Sequence, residues 1–328
     1  MTKPLALLAL YLGACVNPDG AGNLVPATVD QDPSLPQITL NGSTFHAESF
    51  GPADAPIVIT LHGGPGSDYR SILELMNLAD HGYKVVFWDQ RGAGLSQRFS
   101  ADHYTLAEYL EDLRLLVEHY TTVPNQPFVF IGHSWGAMYA TWFINEYGDY
   151  NGRLKGAILS EPGAFTKAQL DEFLDAIQAE IALTGERLND ATWSRQFMSA
   201  SDHERADYLY GALSYGGLPS EAADPNHLAP FWRRGAVVQK ATMDIVDKEG
   251  FDWTTNLAAF PTKVLFLRGE KNTVVTLEHQ QRLAASFPTS EVITIPGVGH
   301  EMVWDAPDAY LEHTLTYFRD INFPGATP

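Results

Sequence analysis

The run that most constrains this chain is Gly132-His133-Ser134-Trp135-Gly136. Phe128-Val129-Phe130-Ile131 ahead of it is apolar and β-prone, and Ala137 to Tyr147 behind it reads as helix. A strand that passes into a helix through G-x-S-x-G must turn sharply. The two glycines let strand and helix approach where a Cβ would collide. Ser134 is then left exposed on a strained turn at the edge of a sheet, with a helix N-terminus behind it. That terminus favours the negative charge that develops when an acyl carbon is attacked.

The rest of the chain supplies such a sheet. Ile38-Thr39-Leu40, Asn41-Gly42 and Ser43 to Phe50 read as a hairpin with an Asn-Gly turn. Ile57 to Leu61 and Lys84 to Trp88 are apolar runs suited to strands buried on both faces. Each ends in a glycine-rich turn: His62-Gly63-Gly64-Pro65-Gly66 after the first, Asp89-Gln90-Arg91-Gly92-Ala93-Gly94-Leu95-Ser96 after the second. A helix is expected from about Ser71 to Asp80. Another is expected over Leu106 to Tyr120, where Leu106, Leu110, Leu113, Val117 and Tyr120 keep a helical period. Ala157-Ile158-Leu159 is the next strand and ends at Ser160-Glu161-Pro162-Gly163.

Strands alternating with helices predict an α/β fold: a mostly parallel sheet with helices on both faces. The alternation stops after Gly163. From Thr166 to about Asn256 the chain reads as helix and loop, beginning with a Thr166–Gln169 capping box and a first helix that Gly185 would stop. The sheet pattern resumes at Lys263 to Leu267. A helix near Leu277 to Phe287, a strand at Val292 to Ile295 and a last helix over Pro307 to Phe318 follow. The expected division is an α/β core, residues 37–161 and 262–328, with a helical cap, residues 162–261, inserted into it.

Residues 1–14 read as an export signal. Lys3 supplies positive charge, and the apolar run Leu5 to Leu12 is too short to span a bilayer. Leu12-Gly13-Ala14-Cys15 resembles the lipobox of bacterial lipoproteins, in which the cysteine carries the lipid. A plain secretory signal or a buried helix are the alternatives. Residues 15–36, rich in Pro, Asn, Asp and Gly, read as a flexible tether. The expected location is outside the cytoplasm, on a membrane of the periplasm or cell surface, through the lipid on Cys15 alone.

Charge and composition narrow the partners. Forty acidic residues face 21 basic ones, a formal charge of -19, which repels nucleic acid. Cys15 is the only cysteine, so no intrachain disulfide can form. The 11 histidines show no metal-ligand spacing, and neither metal nor cofactor is expected.

Taken together, the His62 to Gly66 loop, the Asp89 to Ser96 turn and Gly132-x-Ser134-Trp135-Gly136 resemble the α/β-hydrolase fold, and within it the proline iminopeptidase group of serine peptidases. The resemblance implies Ser134 as nucleophile and His300, in Pro296-Gly297-Val298-Gly299-His300, as its base. It implies an oxyanion hole made by the backbone N–H groups of Gly64 and Trp135. His62 is expected to brace the oxyanion loop, Asp89 and Arg91 to hold their own turn, and His133 to point away from the nucleophile.

The sequence departs from the family at the third member of the triad. The family's aspartate position is Asn272, which has no charge to stabilise an imidazolium. Glu161, directly after the strand beside the nucleophile's, is the candidate acid. Glu270 and no acid at all are the alternatives. For a peptidase, cap carboxylates such as Asp171, Glu172, Glu204, Asp207 and Asp244 could hold a substrate ammonium, although most suit solvated helix faces. Phe231, Trp232 and Arg233 are the candidate substrate-binding residues, with Tyr215 beside them; the arginines leave room for a carboxylate or ester.

The resulting expectation is a serine hydrolase cleaving an N-terminal proline or a related small amide or short peptide. A carboxylesterase or lactone hydrolase is the alternative, and a non-catalytic binding protein on the same fold a second one. The N-terminal reading makes its own prediction: mass spectrometry of protein from bacterial membranes finds a mature chain beginning at lipid-bearing Cys15. An unmodified Cys15 or a retained Met1 refutes it.

Overall fold

The computed structural model describes residues 25–181, 203–213, 221–224 and 226–325. Cys15, Gly185 and Tyr215 lie outside them. Eight strands form one sheet: β1 (Gln37–Leu40), β2 (Ser43–Phe50), β3 (Ile57–Leu61), β4 (Lys84–Trp88), β5 (Phe128–His133), β6 (Leu154–Ser160), β7 (Val264–Gly269) and β8 (Ser290–Ile295). Their order is β1-β2-β4-β3-β5-β6-β7-β8. β2 runs antiparallel to both its neighbours, and every pairing from β4 to β8 is parallel. The hairpin turns at Asn41 and Gly42, both with positive φ (46° and 69°), the conformation an Asn-Gly pair adopts most readily.

Strand alternation builds two apolar layers. Ile57, Ile59, Leu61, Phe128, Phe130, Leu159 and Phe266 face one side and pack with Leu113, Val117, Ala140 and Phe143. Val58, Val85, Phe87, Val129, Ile131, Ile158 and Leu265 face the other, with Ile72, Leu75, Tyr317 and Phe318. β3, β4, β5 and β7 are buried along their whole length, which explains their unbroken apolar runs.

Among the described residues the helices are α1 (Leu106–Tyr120), α2 (Trp135–Tyr147), α3 (Lys167–Ile181), α4 (His203–Leu213), α5 (Ala236–Glu249), α6 (Leu277–Ala284), α7 (Met302–Asp305) and α8 (Pro307–Asp320). Thr105 caps α1 by accepting from the Glu108 N–H. Thr166 and Gln169 form a reciprocal cap at α3. α6 ends at Ala284, short of the expected Phe287, because Pro288 disfavours helical backbone before it. The segment expected as a helix over 71–80 is a 3-10 run, Tyr69–His81, started by Asp68, whose carboxylate accepts from the Arg70 N–H. Among the described residues no helix is long and apolar enough to cross a membrane.

The expected tether is corrected at its far end. Thr28 and Val29 are buried, Val29 donates to the Leu95 carbonyl, and the Pro26 carbonyl accepts from Arg233 Nη1 at 2.8 Å. A sequence without apolar period gave no sign of this because backbone groups make the attachment.

Gly136 is the tightest contact in the core. A Cβ there would lie 2.0 Å from the Leu61 carbonyl oxygen, so α2 can reach β3 only without a side chain at that position. Substituting Gly136→Ala should therefore lower stability by about 3 kcal/mol or more. A fall in the thermal midpoint checks this; an unchanged midpoint refutes it.

Candidate active site

The site lies at the carboxyl ends of the parallel strands. His133 pairs with Ser160, and Ser160 with Leu267, so the residues that follow β5 and β6 emerge side by side. Ser134 is the single residue between β5 and α2. Its backbone sits at φ 55° and ψ −118°, a conformation that costs a non-glycine residue energy and that the packed strand and helix enforce. Its N–H donates to the Ser160 carbonyl at 2.8 Å. Trp135 opens α2, so its backbone N–H belongs to the first turn, where no acceptor exists within the helix. Its indole donates to Gln90 Oε1 and fixes the ring beneath the site.

Ser134, His300, Gly63 and Gly64 line one cleft of about 230 Å³. His133, Ser67, Ser71, Tyr210, Arg234, Gln239 and Glu301 complete the described part of its wall. Gly64 has φ 109°, a conformation side-chain-bearing residues rarely adopt, and a Cβ on Gly63 would lie a tight 3.1 Å from the Ser134 Cβ, so the loop lies close against the serine. His62 braces that loop. Its Nδ1 bonds the Gly63 carbonyl at 2.7 Å, and its Nε2 accepts from the Gln90 N–H at 3.0 Å. Burial lowers its pKa to about 4, so the ring is neutral, as this pair of bonds requires.

Glu161 and Asn272 meet beside His300. Glu161 is fully buried, and its Oε2 lies 2.6 Å from His300 Nδ1. Its Oε1 accepts from the Gly269 N–H at 2.7 Å, and its Oε2 also accepts from Asn272 Nδ2 at 2.6 Å. The Asn272 Oδ1 is committed to the N–H groups of Val274 and Val275, so its NH₂ must face the glutamate. An asparagine at 272 thus donates to the acid instead of being it. An aspartate there would set two carboxylates against each other, and the pair would hold a shared proton. Glu270 points elsewhere and accepts from the Gly297 N–H.

Burial alone would lower the His300 pKa. The hydrogen bond and charge of Glu161 outweigh it, Glu301 and Glu221 add to the effect, and the pKa rises to about 9. The Glu161 contact uses Nδ1, so Nε2 is the nitrogen left for chemistry.

Other expected positions shift. His133 does not point away: its ring packs 4.5 Å from that of His300, and its Nε2 bonds the His300 carbonyl at 2.8 Å. The bare backbone of Gly63 leaves the room it occupies. Phe231, Trp232 and Arg233 are absent from the described cleft wall. Trp232 instead packs against His46 and Tyr69. Arg233 is fully buried, bonded through Nε to Asp207 at 2.8 Å. Phe231 is buried under the guanidinium of Arg234, 4.6 Å from ring to Cζ.

The cap carboxylates are likewise engaged away from the cleft. Asp171 pairs with Lys167, Asp244 with Lys240, Glu172 with Arg282, and Glu204 accepts from Gln31. Asp207 is buried between Arg98 and Arg233. Asp89 accepts from Tyr69 and Leu95 N–H groups, and Arg91 forms a fork with Asp112. Both hold their turn.

Ser67, Tyr210, Gln239 and Glu301 are cleft residues that sequence reading did not single out, and of the two arginines weighed it favoured Arg233 where Arg234 lines the cleft. Arg234 and Glu301 each adjoin a residue singled out, Arg233 and His300, and one-residue differences in facing are invisible without the backbone. Among the described residues no group of three or more His, Cys, Asp or Glu is placed to hold a metal ion.

The geometry yields a pH prediction. A base must be neutral to accept a proton, so kcat/KM should climb with pH until about 9. Glu161→Gln removes the charge that raises the His300 pKa. Its acidic limb should move down toward the ordinary histidine value of about 6.5, with a plateau lower by up to about 10⁴. A profile that keeps its position and height refutes the role of Glu161.

Comparison with known proteins agrees with this architecture. The family model described as alpha/beta hydrolase fold matches residues 56–307. A bifunctional esterase/perhydrolase of Acinetobacter calcoaceticus is 25% identical over 287 residues, covering 86% of this chain and 98% of that one. A proline iminopeptidase of Pestalotiopsis fici is 23% identical over 273 residues, 81% of this chain and 92% of that one. The crystal structure of a Mycobacterium smegmatis proline iminopeptidase superposes with a TM-score of 0.59 at 15% identity, covering 87% and 98% of the two chains. The sheet order, the turn at Ser134 and the match over residues 56–307 make this chain a member of the α/β-hydrolase family.

Proposed function

We propose that this protein is a serine hydrolase that cleaves a small carboxylic ester through an acyl-enzyme on Ser134. The observation that carries the reading is the 2.6 Å contact between Glu161 and His300 Nδ1, with Nε2 left for the cleft that Ser134 also lines. His300 Nε2 takes the hydroxyl proton as Ser134 Oγ bonds the acyl carbon, and the carbonyl electron pair moves to oxygen. The N–H groups of Gly64 and Trp135 receive that oxyanion. Its collapse breaks the bond to the leaving oxygen, which takes the proton from His300. Water then repeats the sequence on the acyl-enzyme, and Ser134 is restored. Glu161 stabilises the imidazolium in both halves.

Esters come first because Arg234 puts a cation at the oxyanion-loop end of the cleft, which opposes an ammonium there. Removal of an N-terminal proline from a short peptide is the second reading. Glu301 favours it: this carboxylate lines the cleft and its Oε2 is buried without a partner among the described residues. In the same reading Cys15 carries a lipid that keeps the enzyme at a membrane surface, supported by Leu12-Gly13-Ala14-Cys15.

The test pairs a short-chain aryl ester with a proline arylamide. The ester should show the higher kcat/KM, and a fluorophosphonate should label wild type but not Ser134→Ala, whose turnover falls by roughly 10⁶. A faster arylamide transfers the assignment to the second reading. Absence of labelling and of both activities would mean a binding protein on this fold.

A further inference from the structure

We propose that Arg234 is an anion subsite, and that the natural substrate carries a free carboxylate which this guanidinium holds while Ser134 attacks. The proposal deepens the hydrolase reading and rests on it only for the word substrate.

Among the described residues Arg234, unlike Arg91, Arg98 and Arg233, has no carboxylate at contact distance, although its charge reaches buried Asp68. Arg91 is paired with Asp112, and Arg98 and Arg233 share Asp207. Among the described residues no carboxylate oxygen lies within salt-bridge distance of Arg234. Its Nη1 donates to Ser67 Oγ, and its Nε is buried without an acceptor among the described residues. A guanidinium carries five N–H donors, and a buried donor left unmade is costly unless a ligand completes it. Asp68 is near, but both its oxygens accept from backbone: Oδ1 from Arg70, Oδ2 from Trp232 and Arg233. Burial and the neighbouring Asp89 push its pKa up while Arg234 opposes that shift, so the two groups interact at a distance without a direct ion pair.

The side chain is held ready. Its Cζ stacks 4.6 Å from the Phe231 ring centre, and the next residue, Gly235, donates to the Gly66 carbonyl at 2.7 Å. That bond fixes the strap carrying Arg234 to the oxyanion loop. Glu301 belongs to the other end of the same cleft, where it raises the His300 pKa. The two charges give the cleft a direction: an anion is drawn to the oxyanion-loop end and repelled from the base. The formal charge of -19 opposes general anion binding, so any preference for an anion must come from a local cation. A cleft of about 230 Å³ suits a short acyl chain, such as a monoester of a dicarboxylic acid.

Calorimetric titration of the full-length protein with glutarate and with its neutral diamide, glutaramide, tests the subsite without any turnover. Glutarate should bind wild type at least about tenfold more tightly, and Arg234→Gln should abolish that difference. Arg234→Lys, which keeps the charge but loses the fork, should keep part of it. In kinetics, the kcat/KM ratio of 4-nitrophenyl hydrogen glutarate to 4-nitrophenyl butyrate should fall about tenfold in Arg234→Gln. Equal binding of the two probes by wild type overturns the proposal, and so does a preference that survives in Arg234→Gln. If Arg234→Gln does not fold, the wild-type comparison and Arg234→Lys decide. Ester turnover without anion preference overturns the subsite alone. Anion preference without turnover upholds the subsite and overturns the hydrolase reading.

Discussion

The site depends on one buried carboxylate. Glu161 accepts from the Gly269 N–H, from Asn272 and from His300, and so ties together the ends of β6 and β7 and the loop after β8. Its backbone is left-handed, with φ 48°, an uncommon state for a residue that is not glycine. A buried charge with one partner removed would be strongly destabilising, whereas one with its oxygens satisfied is tolerated. The network therefore explains two sequence oddities at once. The glutamate supplies the charge, and the asparagine at the expected acid position is its donor.

The same logic fixes the cap. Asp207 on α4 bonds Arg98 of the core, Arg233 of the strap and the Ala236 N–H at the start of α5. Asp68, just beyond the oxyanion loop, accepts from Trp232 and Arg233. Buried ion pairs of this sort contribute less to stability than their Coulomb energy suggests, because both partners lose water. What they supply is register. Arg233 is turned inward and neutralised, so Arg234, one residue on, faces the cleft. The docked segment 25–32 adds to the clamp through the Pro26 carbonyl. Cap position and cleft chemistry are thus set by the same few polar contacts.

The sheet was legible because burial imposes period and composition. Ile57 to Leu61 and Lys84 to Trp88 had to be apolar on both faces, and Asn41-Gly42 had to turn. The serine turn was legible because Gly132 and Gly136 are required by backbone approach, a constraint no other residue meets. Glu161 was reachable from strand order alone, since parallel neighbours end side by side. The facing of charged cap residues was not legible. Asp207 and Asp244 look alike in sequence, yet one is buried between two arginines and the other is paired on the surface. His133 was misread for a similar reason. A neighbour on a strand alternates faces, but at the strand end the crossing loop decides the contact.

The Glu161–His300 pair also limits what its charge can do for catalysis. Only stabilisation that is greater in the transition state than in the resting protein lowers the barrier. With the His300 pKa raised to about 9, the imidazolium is already present at neutral pH. Part of the favourable energy with Glu161 is then spent before substrate arrives. Above about pH 9 the resting ring is neutral, and in the proposed mechanism the full attraction appears as the proton leaves Ser134. Folding stability follows the opposite course. A histidine whose pKa is raised on folding stabilises the native state below its unfolded value of about 6.5. That contribution fades as the pH climbs through about 9. The pair thus contributes its full stabilisation at about pH 6, below the unfolded histidine value, while Glu161 is ionised. The ring is free to act as the proposed base only above about pH 9. The conflict comes from placing a full carboxylate, satisfied by an amide and a backbone N–H, against the ring proposed as the base.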